Sequence, residues 1–336
     1  MSSFHRSLVP GRPRRLVLSL CLVAVSAWPL WPARAASYPL PAPGNDLVGR
    51  VKVIKARHKD TLSDLARRYG LGYDEIRRAN PDVDPWLPGA GTRVVIPTRF
   101  ILPHPWKGIV LNVAEMRLFY YPKVKPGESG RVITFPVSIG RGNWETPLVT
   151  TRVTAKITDP SWHPPKSIRA EHAREGDPLP AVVPAGPDNP LGQFALRLGL
   201  PAYLIHGTNK PYGIGMRVTH GCIRLYPEDI RALFKEVPVN TPVRIINRPV
   251  EVGWEGASIY LEAYPGLGPA LKPGQAMARV RRQLAARAAR VPGRSAAAVD
   301  WKRVREALMR PRGVPVKVSA DGIVEPAPPQ AESAEK

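Results

Sequence analysis

Cysteine is scarce in this sequence. The 336 residues contain two, Cys21 and Cys222. Cys21 lies in an N-terminal segment with the features of a removable export signal, so the exported chain would keep one thiol and have no partner for an intramolecular disulfide. A single retained cysteine is either an inert core residue or a reactive one. The position of Cys222, beside a glycine and downstream of a histidine-bearing loop, favours the reactive interpretation.

Acidic residues are also few. The chain has 27 acidic and 49 basic residues, which gives a net charge of +22 at pH 7. Nucleic acid is the first partner to consider for such a protein. The export signal and the lack of helix-turn-helix, zinc-finger and RNA-binding signatures argue against it. A basic surface suits an anionic cell envelope, although an ordinary solvated surface explains the charge equally well.

Long hydrophobic runs are limited to one, Leu16–Trp31. Arginines precede this run, and an Ala-x-Ala site at positions 33–35 follows it. This order predicts that residues 1–35 form a signal peptide, which is cleaved near Ala35 and directs export of the protein. A membrane anchor is the alternative, but the run is short for a membrane span and prolines interrupt it.

The composition of the chain favours strands and turns. Hydrophobic residues make up 43% of the sequence, which is sufficient for a core, while 40 prolines and 28 glycines disfavour long helices. We therefore predict a mainly β fold with some α-helix.

The functional signal is concentrated in one run, which contains His206-Gly207-Thr208 and, after a short Gly-rich connection, Thr219–Arg224. A cysteine nucleophile needs a base within hydrogen-bond reach. His206 precedes Cys222 by sixteen residues, which fits a strand, a loop and a return to the same sheet edge. A strand before His206 and a helix from Pro227 would place Cys222 on a Gly-flanked turn. Backbone N–H groups there can stabilise a thiolate and an oxyanion.

These two segments closely resemble the catalytic motif of the L,D-transpeptidase family, also called YkuD-like. The resemblance covers roughly residues 107–249 and implies a β-rich catalytic domain, which we assign to residues 105–249. It also implies that Cys222 attacks the tetrapeptide stem of peptidoglycan, at the bond between meso-diaminopimelate and the terminal D-alanine. The acceptor of the resulting acyl group would be an amine, either of another stem or of an envelope lipoprotein.

The same resemblance implies roles for residues around the thiol. His206 would be the base, and the backbone carbonyl of Gly207 would orient its imidazole. The backbone N–H groups of Gly221 and Cys222 are candidates for an oxyanion hole. The motif therefore predicts a nucleophile, a base and an electrostatic stabiliser within one short stretch of sequence.

Two further motif residues, His220 and Arg224, have open roles. His220 could help to hold the thiolate or only shape the turn, and Arg224 could bind a substrate carboxylate or brace the turn. A zinc site formed by His206, His220 and Cys222 is the competing interpretation. It is disfavoured because the sequence has no Cys-x-x-Cys or His-Glu-x-x-His arrangement and no obvious acid nearby. We expect no metal and no cofactor.

A smaller unit precedes the catalytic domain, with the predicted order strand, helix, helix, strand over residues 51–98. Its start at Asp60-Thr61-Leu62, the helix end at Ile76–Pro81 and the closing strand Gly91–Pro97 resemble a LysM module. LysM modules bind glycans that contain N-acetylglucosamine, so the resemblance implies peptidoglycan binding. A packing or spacer domain without glycan affinity is the alternative.

The other segments are assigned from composition and periodicity. Residues 36–50 form an extended Pro-rich leader, and the Pro-rich segments 162–180 and 183–192 are loops that either overhang the site or connect strands at the surface. Residues 250–325 form an extension with strands and two helices. The first, basic helix either packs on the β domain or contacts the membrane. Residues 326–336 are predicted to be disordered.

Three functions compete for this sequence. The motif favours an L,D-transpeptidase, and a hydrolase on the same fold is the alternative, since it would share nucleophile and base and use water in place of the amine. The third is a non-enzymatic wall-binding protein that uses only its LysM module. Intact His206, Gly221, Cys222 and Arg224 argue against this third function.

Overall fold

The computed structural model of this protein describes residues 36–268, 273–289 and 299–320. The predicted signal peptide, with Cys21 and the cleavage site, and the predicted disordered tail lie outside the described residues. Within those three ranges, no helix is long and apolar enough to cross a membrane.

Strands dominate the described residues, which confirms the predicted mainly β fold class. The strands are β1 (Ala36–Pro39), β2 (Leu47–Lys55), β3 (Arg93–Ile101), β4 (Gly108–Asn112), β5 (Arg117–Tyr121), β6 (Arg131–Pro136), β7 (Ile139–Gly140), β8 (Thr150–Thr158), β9 (Phe194–Leu198), β10 (Leu204–His206), β11 (Arg217–Thr219), β12 (Ile223–Arg224), β13 (Pro242–Ile246), β14 (Val250–Glu255), β15 (Ser258–Ala263) and β16 (Val316–Lys317). The helices are α1 (Leu62–Arg68), α2 (Tyr73–Ala79), α3 (Lys166–Arg174), α4 (Pro227–Glu236), α5 (Pro273–Ala288) and α6 (Trp301–Met309), and a short 3-10 helix covers Pro211–Gly213.

The small βααβ unit predicted from the sequence is present. β2 and β3 pair antiparallel along their whole length. α1 begins after Thr61 because the Thr61 hydroxyl accepts a hydrogen bond from the Asp64 N–H, while the Asp64 carboxylate accepts one from the Thr61 N–H. Leu62, Leu65 and Ile76 are fully buried between the helices and the two strands. Local capping and a small apolar core therefore define this unit.

A nine-stranded sheet forms the centre of the molecule, in the order β1-β6-β5-β4-β13-β8-β9-β10-β12. Every residue of β4 and β5 is buried, so these strands are covered on both faces. Because side chains alternate along a strand, Ile109 and Leu111 join a core that includes Leu233 of α4, whereas Val110 and Phe119 join the core of the βααβ unit. The small unit is therefore packed directly on one face of the large sheet.

A buried ion pair also joins the two units. Arg117 on β5 is fully buried, and its Nε and Nη2 donate to the two carboxylate oxygens of Glu75 on α2 at 2.8 and 2.7 Å. Its Nη1 donates to the Thr134 hydroxyl at 2.8 Å, and Nη2 also donates to the Gly70 carbonyl at 2.9 Å. Removal of either charged partner alone would leave the other buried and unpaired, which is strongly destabilising.

The βααβ unit also contacts the loop that follows β10. Gly72, just before α2, packs backbone to backbone on Gly215, and a Cβ at Gly72 would lie 2.6 Å from the Cα of Gly215. The Tyr73 N–H donates to the carbonyl of Ile214 at 3.0 Å. Only glycine allows two backbones to approach so closely, so this contact depends on both glycines.

The predicted leader, residues 36–50, is extended but is part of the fold. β1 pairs antiparallel with β6, with Ala36 opposite Thr134, and residues from Leu47 onward belong to β2. The prolines of this segment are compatible with pairing because an edge strand needs hydrogen-bond donors on one side only.

The segment 162–180, predicted to be a loop, contains the helix α3. Within this helix Ile168 is the buried residue, and the segment has no repeating apolar stripe. Helix prediction depends on that stripe, and the flanking prolines indicate a loop instead. The prediction of an irregular loop was therefore wrong at this position.

The C-terminal extension contains strands and two helices, as predicted. β14 and β15 form an antiparallel hairpin, and β16 pairs with β15. α5 and α6 pack on this small sheet through Val280, Leu284 and Val304, all of which are buried. The apolar stripe of the basic helix α5 is therefore covered by protein.

Candidate active site

The two segments of the sequence motif meet at the edge of the nine-stranded sheet. β10 and β12 are adjacent parallel strands, with Ile205 opposite Ile223 and His206 opposite Arg224. Ile205 and Ile223 are buried in the core on one face. Because side chains alternate along strands, His206, Arg224 and Cys222 belong to the other face. The structure thus brings the predicted nucleophile, base and guanidinium to one side of two neighbouring strands, just before α4.

The turn that carries the thiol is held by two threonines. Gly221 has a φ of +101°, and a Cβ there would lie 3.0 Å from the Tyr203 ring, so the position requires glycine. The Thr219 hydroxyl donates to the Cys222 carbonyl at 2.6 Å and accepts from the Gly221 N–H at 3.2 Å. The Thr146 hydroxyl donates to the Gly221 carbonyl at 2.9 Å. The Gly221 N–H, predicted as an oxyanion donor, is therefore engaged within the turn.

The Cys222 thiol is half-buried and is the free cysteine of the described chain. Its Sγ donates to the Ala202 carbonyl at 3.5 Å. Burial raises the pKa of the thiol, while the backbone at Leu204 and the positive charge of Arg224 act in the opposite direction. The resting side chain is therefore a protonated thiol at neutral pH, and a base must remove its proton.

His206, the predicted base, is buried at the end of β10. Its side chain is 3% exposed, and burial, together with the charge of Arg224, lowers its pKa to about 3. The backbone at Gly207 and Leu191 partly opposes this effect. Nδ1 is buried and has no hydrogen-bond partner of good geometry among the described residues. Gly207 packs against α4, where a Cβ would lie 3.1 Å from Ile230 Cγ2. The imidazole is therefore neutral and can accept a proton.

Arg224 is anchored by its backbone, while part of its side chain is unpaired. Its N–H donates to the Ser138 carbonyl at 3.1 Å, and its carbonyl accepts from the Ser138 N–H at 2.8 Å. The guanidinium Nε is buried without a hydrogen-bond partner in the described part of the chain. Burial lowers the pKa of the guanidinium, and Cys222 acts to raise it. An unpaired cation beside the thiol is suited to an anionic group of a substrate.

His220 belongs to a separate polar cluster that includes α3. Its Nε2 lies 2.6 Å from a carboxylate oxygen of Glu171, whose other oxygen accepts from Arg141 at 2.8 Å. The Trp144 ring and the imidazole pack edge to face, with ring centroids 5.0 Å apart. The hydrogen bond with His220 lowers the pKa of Glu171, and Arg141 and His172 act in the same direction. His220 therefore links α3 to the turn that carries Cys222.

Glu171 is a site residue that the sequence did not indicate. It lies 49 residues before His220, in a segment without an apolar period, and the pairing depends entirely on tertiary contact. Thr146 had a weaker signal, because the Asn143–Pro147 segment resembles the Thr-Pro segment that precedes a strand in the L,D-transpeptidase catalytic domain. A turn that matches a family motif can be recognised from the local sequence, whereas a carboxylate on a helix without an apolar period cannot.

The geometry of the described residues offers no metal site. None of their His, Cys, Asp and Glu side chains form a group of three or more that could hold a metal ion. His206 and Cys222 share one face of the sheet edge, while His220 pairs with Glu171. These three residues, which the sequence offered as zinc ligands, therefore have different surroundings.

Two segments of the chain match known domain families. Residues 107–245 match the L,D-transpeptidase catalytic domain, and residues 55–97 match the LysM domain. The first match contains both segments of the motif, and the second contains α1, α2 and the greater part of β3.

Proteins similar to this chain carry the same description. "Probable L,D-transpeptidase YbiS" of Escherichia coli (strain K12) is 47% identical over 237 residues, which are 69% of this chain and 76% of the relative. "Probable L,D-transpeptidase YcfS" of the same strain is 45% identical over 230 residues, 67% of this chain and 71% of the relative. "Probable L,D-transpeptidase ErfK/SrfK" of Salmonella typhimurium (strain LT2) is 43% identical over 292 residues, 85% of this chain and 92% of the relative.

Proposed function

This chain belongs to the L,D-transpeptidase family, and we propose that it is a periplasmic cysteine acyltransferase that acts on peptidoglycan. The observation that carries the proposal is that a thiol, Cys222, and a buried neutral imidazole, His206, belong to one face of two adjacent strands. A nucleophile and a base in this arrangement support acyl transfer through a covalent intermediate.

In the first half-reaction Cys222 takes the acyl group of a tetrapeptide stem. His206 removes the thiol proton, and the sulfur attacks the carbonyl carbon of meso-diaminopimelate. The tetrahedral intermediate collapses, the C–N bond to the terminal D-alanine breaks, and the imidazolium returns the proton to the leaving amine. A thioester on Cys222 and free D-alanine are the products.

The burial of both groups determines when the proton moves. Desolvation raises the pKa of the thiol and lowers that of the imidazole, so the pair is neutral before substrate binds. A thiolate–imidazolium pair becomes favourable only when attack places negative charge on the carbonyl oxygen, where the Cys222 N–H can stabilise it. We infer that proton transfer accompanies attack and does not precede it.

In this proposal, Arg224 binds a carboxylate of the acyl donor. The Arg224 Nε is buried and has no hydrogen-bond partner within the described residues. The charge of the guanidinium interacts with the Cys222 thiol. A guanidinium and a carboxylate form two parallel charge-assisted hydrogen bonds, which fix orientation as well as binding. The terminal carboxylate of the stem is the group that such a fork would select next to the scissile bond.

In the second half-reaction an amine attacks the thioester and regenerates the thiol. His206 receives the proton of the incoming amine and passes it to the departing sulfur as the C–S bond breaks. Thioesters favour this outcome, because an amine displaces a thiolate readily and water competes less well. The acceptor is a diaminopimelate amine of a second stem, which gives a 3-3 cross-link, or a lysine of an envelope lipoprotein. Water as the acceptor would make the protein a hydrolase.

The LysM module, residues 51–98, would bind the glycan of the wall while residues 105–249 carry out the chemistry. Export by a signal peptide, residues 1–35, would bring both to the periplasm. The contact of α2 with the loop after β10 supports joint action, because the module lies against the chain segment between His206 and Cys222.

Intact-protein and product mass spectrometry test this proposal. The exported protein and its Cys222→Ala variant are incubated with disaccharide-tetrapeptide. We expect an acyl adduct on Cys222, release of D-alanine, and a diaminopimelate–diaminopimelate dimer, all of which the variant lacks. An adduct that yields only tripeptide indicates hydrolysis or a missing protein acceptor, and a lysine-ended lipoprotein peptide then decides between these. A protein that binds sacculi but forms no adduct would contradict the enzymatic proposal.

A further inference from the structure

A cleft outside the catalytic motif is lined by arginine. Its volume is about 700 Å³, and it lies between the LysM helix α2 and the segment that follows α6 in the C-terminal extension. α2 contributes Arg77 and Arg78 to the lining, and the segment after α6 contributes Arg310 and Arg312. The cleft therefore joins two regions of the chain that have no part in the chemistry at Cys222.

The positive charge of this cleft is not balanced by the protein. Within the described ranges, none of the four guanidinium groups forms an ion pair with a carboxylate. Two acidic residues, Asp74 and Asp82, also line the cleft. Burial raises the pKa of Asp74, against the effect of the nearby arginines, and so weakens its tendency to ionise. Four cations face at most two anions, which leaves the cleft positive.

Arg78 is held in place but is incompletely hydrogen-bonded. Its guanidinium lies over the Tyr264 ring, 5.5 Å from the ring centroid, and a Cβ on Gly313 would be 3.6 Å from its Nε. Nε and Nη2 are buried and have no hydrogen-bond partner among the described residues. A buried donor without an acceptor is unfavourable, and a small rotation toward an anion in the cleft would relieve it. Arg78 thus resembles a binding residue more than a structural one.

We propose that this cleft binds the carboxylate groups of a peptidoglycan stem peptide. Guanidinium groups pair with carboxylates through two parallel hydrogen bonds, and several together select an acidic peptide. One wall of the cleft is the LysM module, so a glycan held by that module would bring its own acidic stems to the arginines. The cleft would take a stem other than the one attacked at Cys222. The choice of stem as ligand rests on the proposed function, whereas the anion site rests on the arginines alone.

Calorimetric titration of the full exported chain with free tetrapeptide tests the proposal. The titration uses the Cys222→Ala background, in which no acylation occurs. The cleft variant is Arg310→Ala/Arg312→Ala, and the matched control is Lys302→Ala/Arg305→Ala, which removes two exposed charges of the adjacent α6 outside the cleft. All four side chains are exposed, so folding should be retained, and thermal unfolding verifies this.

We expect two stem sites in the parent and in the control. The cleft variant should lose one site or bind it roughly tenfold more weakly, and this difference should shrink at high salt. Two unchanged sites in the cleft variant, or a single site in the parent, would overturn the proposal. With Cys222 restored, the cleft variant should still form the acyl adduct at the parent rate, because the arginines are not part of the reacting centre.

Other ligands show whether the cleft binds a stem peptide or another anion, and whether the LysM module binds glycan independently of the cleft. Inorganic phosphate and vesicles of phosphatidylglycerol are titrated into the same variants. Vesicle binding that depends on Arg310 and Arg312, without tetrapeptide binding, would refute the stem as ligand. Uncharged N-acetylglucosamine oligosaccharide tests the LysM proposal alone. Arginine-dependent tetrapeptide binding without oligosaccharide binding would support the cleft and contradict glycan binding by the module.

Discussion

Two arginines of the same nine-stranded sheet have opposite surroundings. Arg117 on β5 is fully buried and hydrogen-bonds to Glu75, Thr134 and Gly70. Burial acts to lower its pKa, but the Glu75 carboxylate outweighs that effect and the pKa is raised. Arg224 on β12 is partly buried and has an unpaired Nε, and its pKa is lowered by burial.

This difference separates a structural cation from a binding one. A buried charge whose donors are all used contributes to a fixed geometry, and its partner cannot be exchanged for a ligand. A charge that the fold leaves partly unpaired is unfavourable in the free protein and gains from an anion that arrives with substrate. The same residue type therefore holds two modules together at one strand and, in our proposal, binds the donor at another.

The largest expected effect is the loss of stability at Arg117. Arg117→Met should lower the free energy of unfolding by about 3–5 kcal/mol, because Glu75 would remain buried and unpaired. Urea denaturation measures this loss. Arg131→Met, which breaks the exposed ion pair with Glu236, should change the same quantity by less than about 1 kcal/mol. Equal losses in the two variants would contradict the structural role of Arg117.

Arg224 should show the reverse pattern. Arg224→Lys keeps the charge but removes the planar fork, so kcat/KM for the tetrapeptide donor should fall roughly hundredfold. The free energy of unfolding should change by less than about 1 kcal/mol. Rates of Cys222 acylation, followed by mass spectrometry, measure the first quantity. Arg231→Lys, an exposed substitution on α4, is the control. A destabilised Arg224→Lys variant with normal acylation would show that Arg224 has a structural role and does not bind the donor.

The pH dependence of stability tests the state of His206, whose pKa is lowered by burial and by the charge of Arg224. Its folded-state pKa is about 3, whereas an unfolded histidine titrates near 6.5. Between these values the unfolded chain binds a proton that the folded chain does not, so stability falls as pH falls. From pH 6.5 to 5 this should remove about 1.6 kcal/mol that the His206→Gln variant retains. Urea denaturation at both pH values gives the difference, and parallel pH dependence in the two proteins would refute a buried neutral imidazole.

The smallest expected effect is at Glu171. Glu171→Gln keeps the shape of the side chain but removes the charge that joins α3 to His220 and Arg141. Acyl transfer should slow by roughly tenfold with little change in stability. Dimer formation over time measures the rate. Glu175→Gln, exposed at the end of the same helix, should behave like the parent. Parent-like transfer by Glu171→Gln would mean that the link between α3 and the turn has no catalytic consequence.

Sequence patterns predicted the features that depend on neighbours in the chain. The helix that starts near Thr61, the strand just before His206 and the helix that begins at Pro227 are each encoded within a few residues, and the structure has all three. The positions of His206, Cys222 and Arg224 on one face follow from the same local information once β10 and β12 pair. Their chemical roles stay a prediction that the acylation experiments address.

Features that depend on distant residues could not be predicted in this way. Arg117 pairs with Glu75 across 42 residues, and neither lies in a pattern that distinguishes a buried charge from a solvated one. α3 has no apolar period because it rests on polar contacts, such as the one between Glu171 and His220. Both cases concern charged residues, whose position is decided by a partner that is distant in the sequence.

The close contact of Gly72 with Gly215 removes the free linker that would normally connect a binding module to an enzyme. With a flexible linker, the reactive centre would search a broad volume of the wall at moderate effective concentration. A rigid connection makes the effective concentration of the reactive centre high for stems at one distance and orientation from a sugar bound to the module. It makes that concentration negligible for all other stems. In our proposal, the distance between the LysM module and Cys222 would therefore be fixed. The spacing and orientation of stems along the glycan strand would then decide which stems are joined.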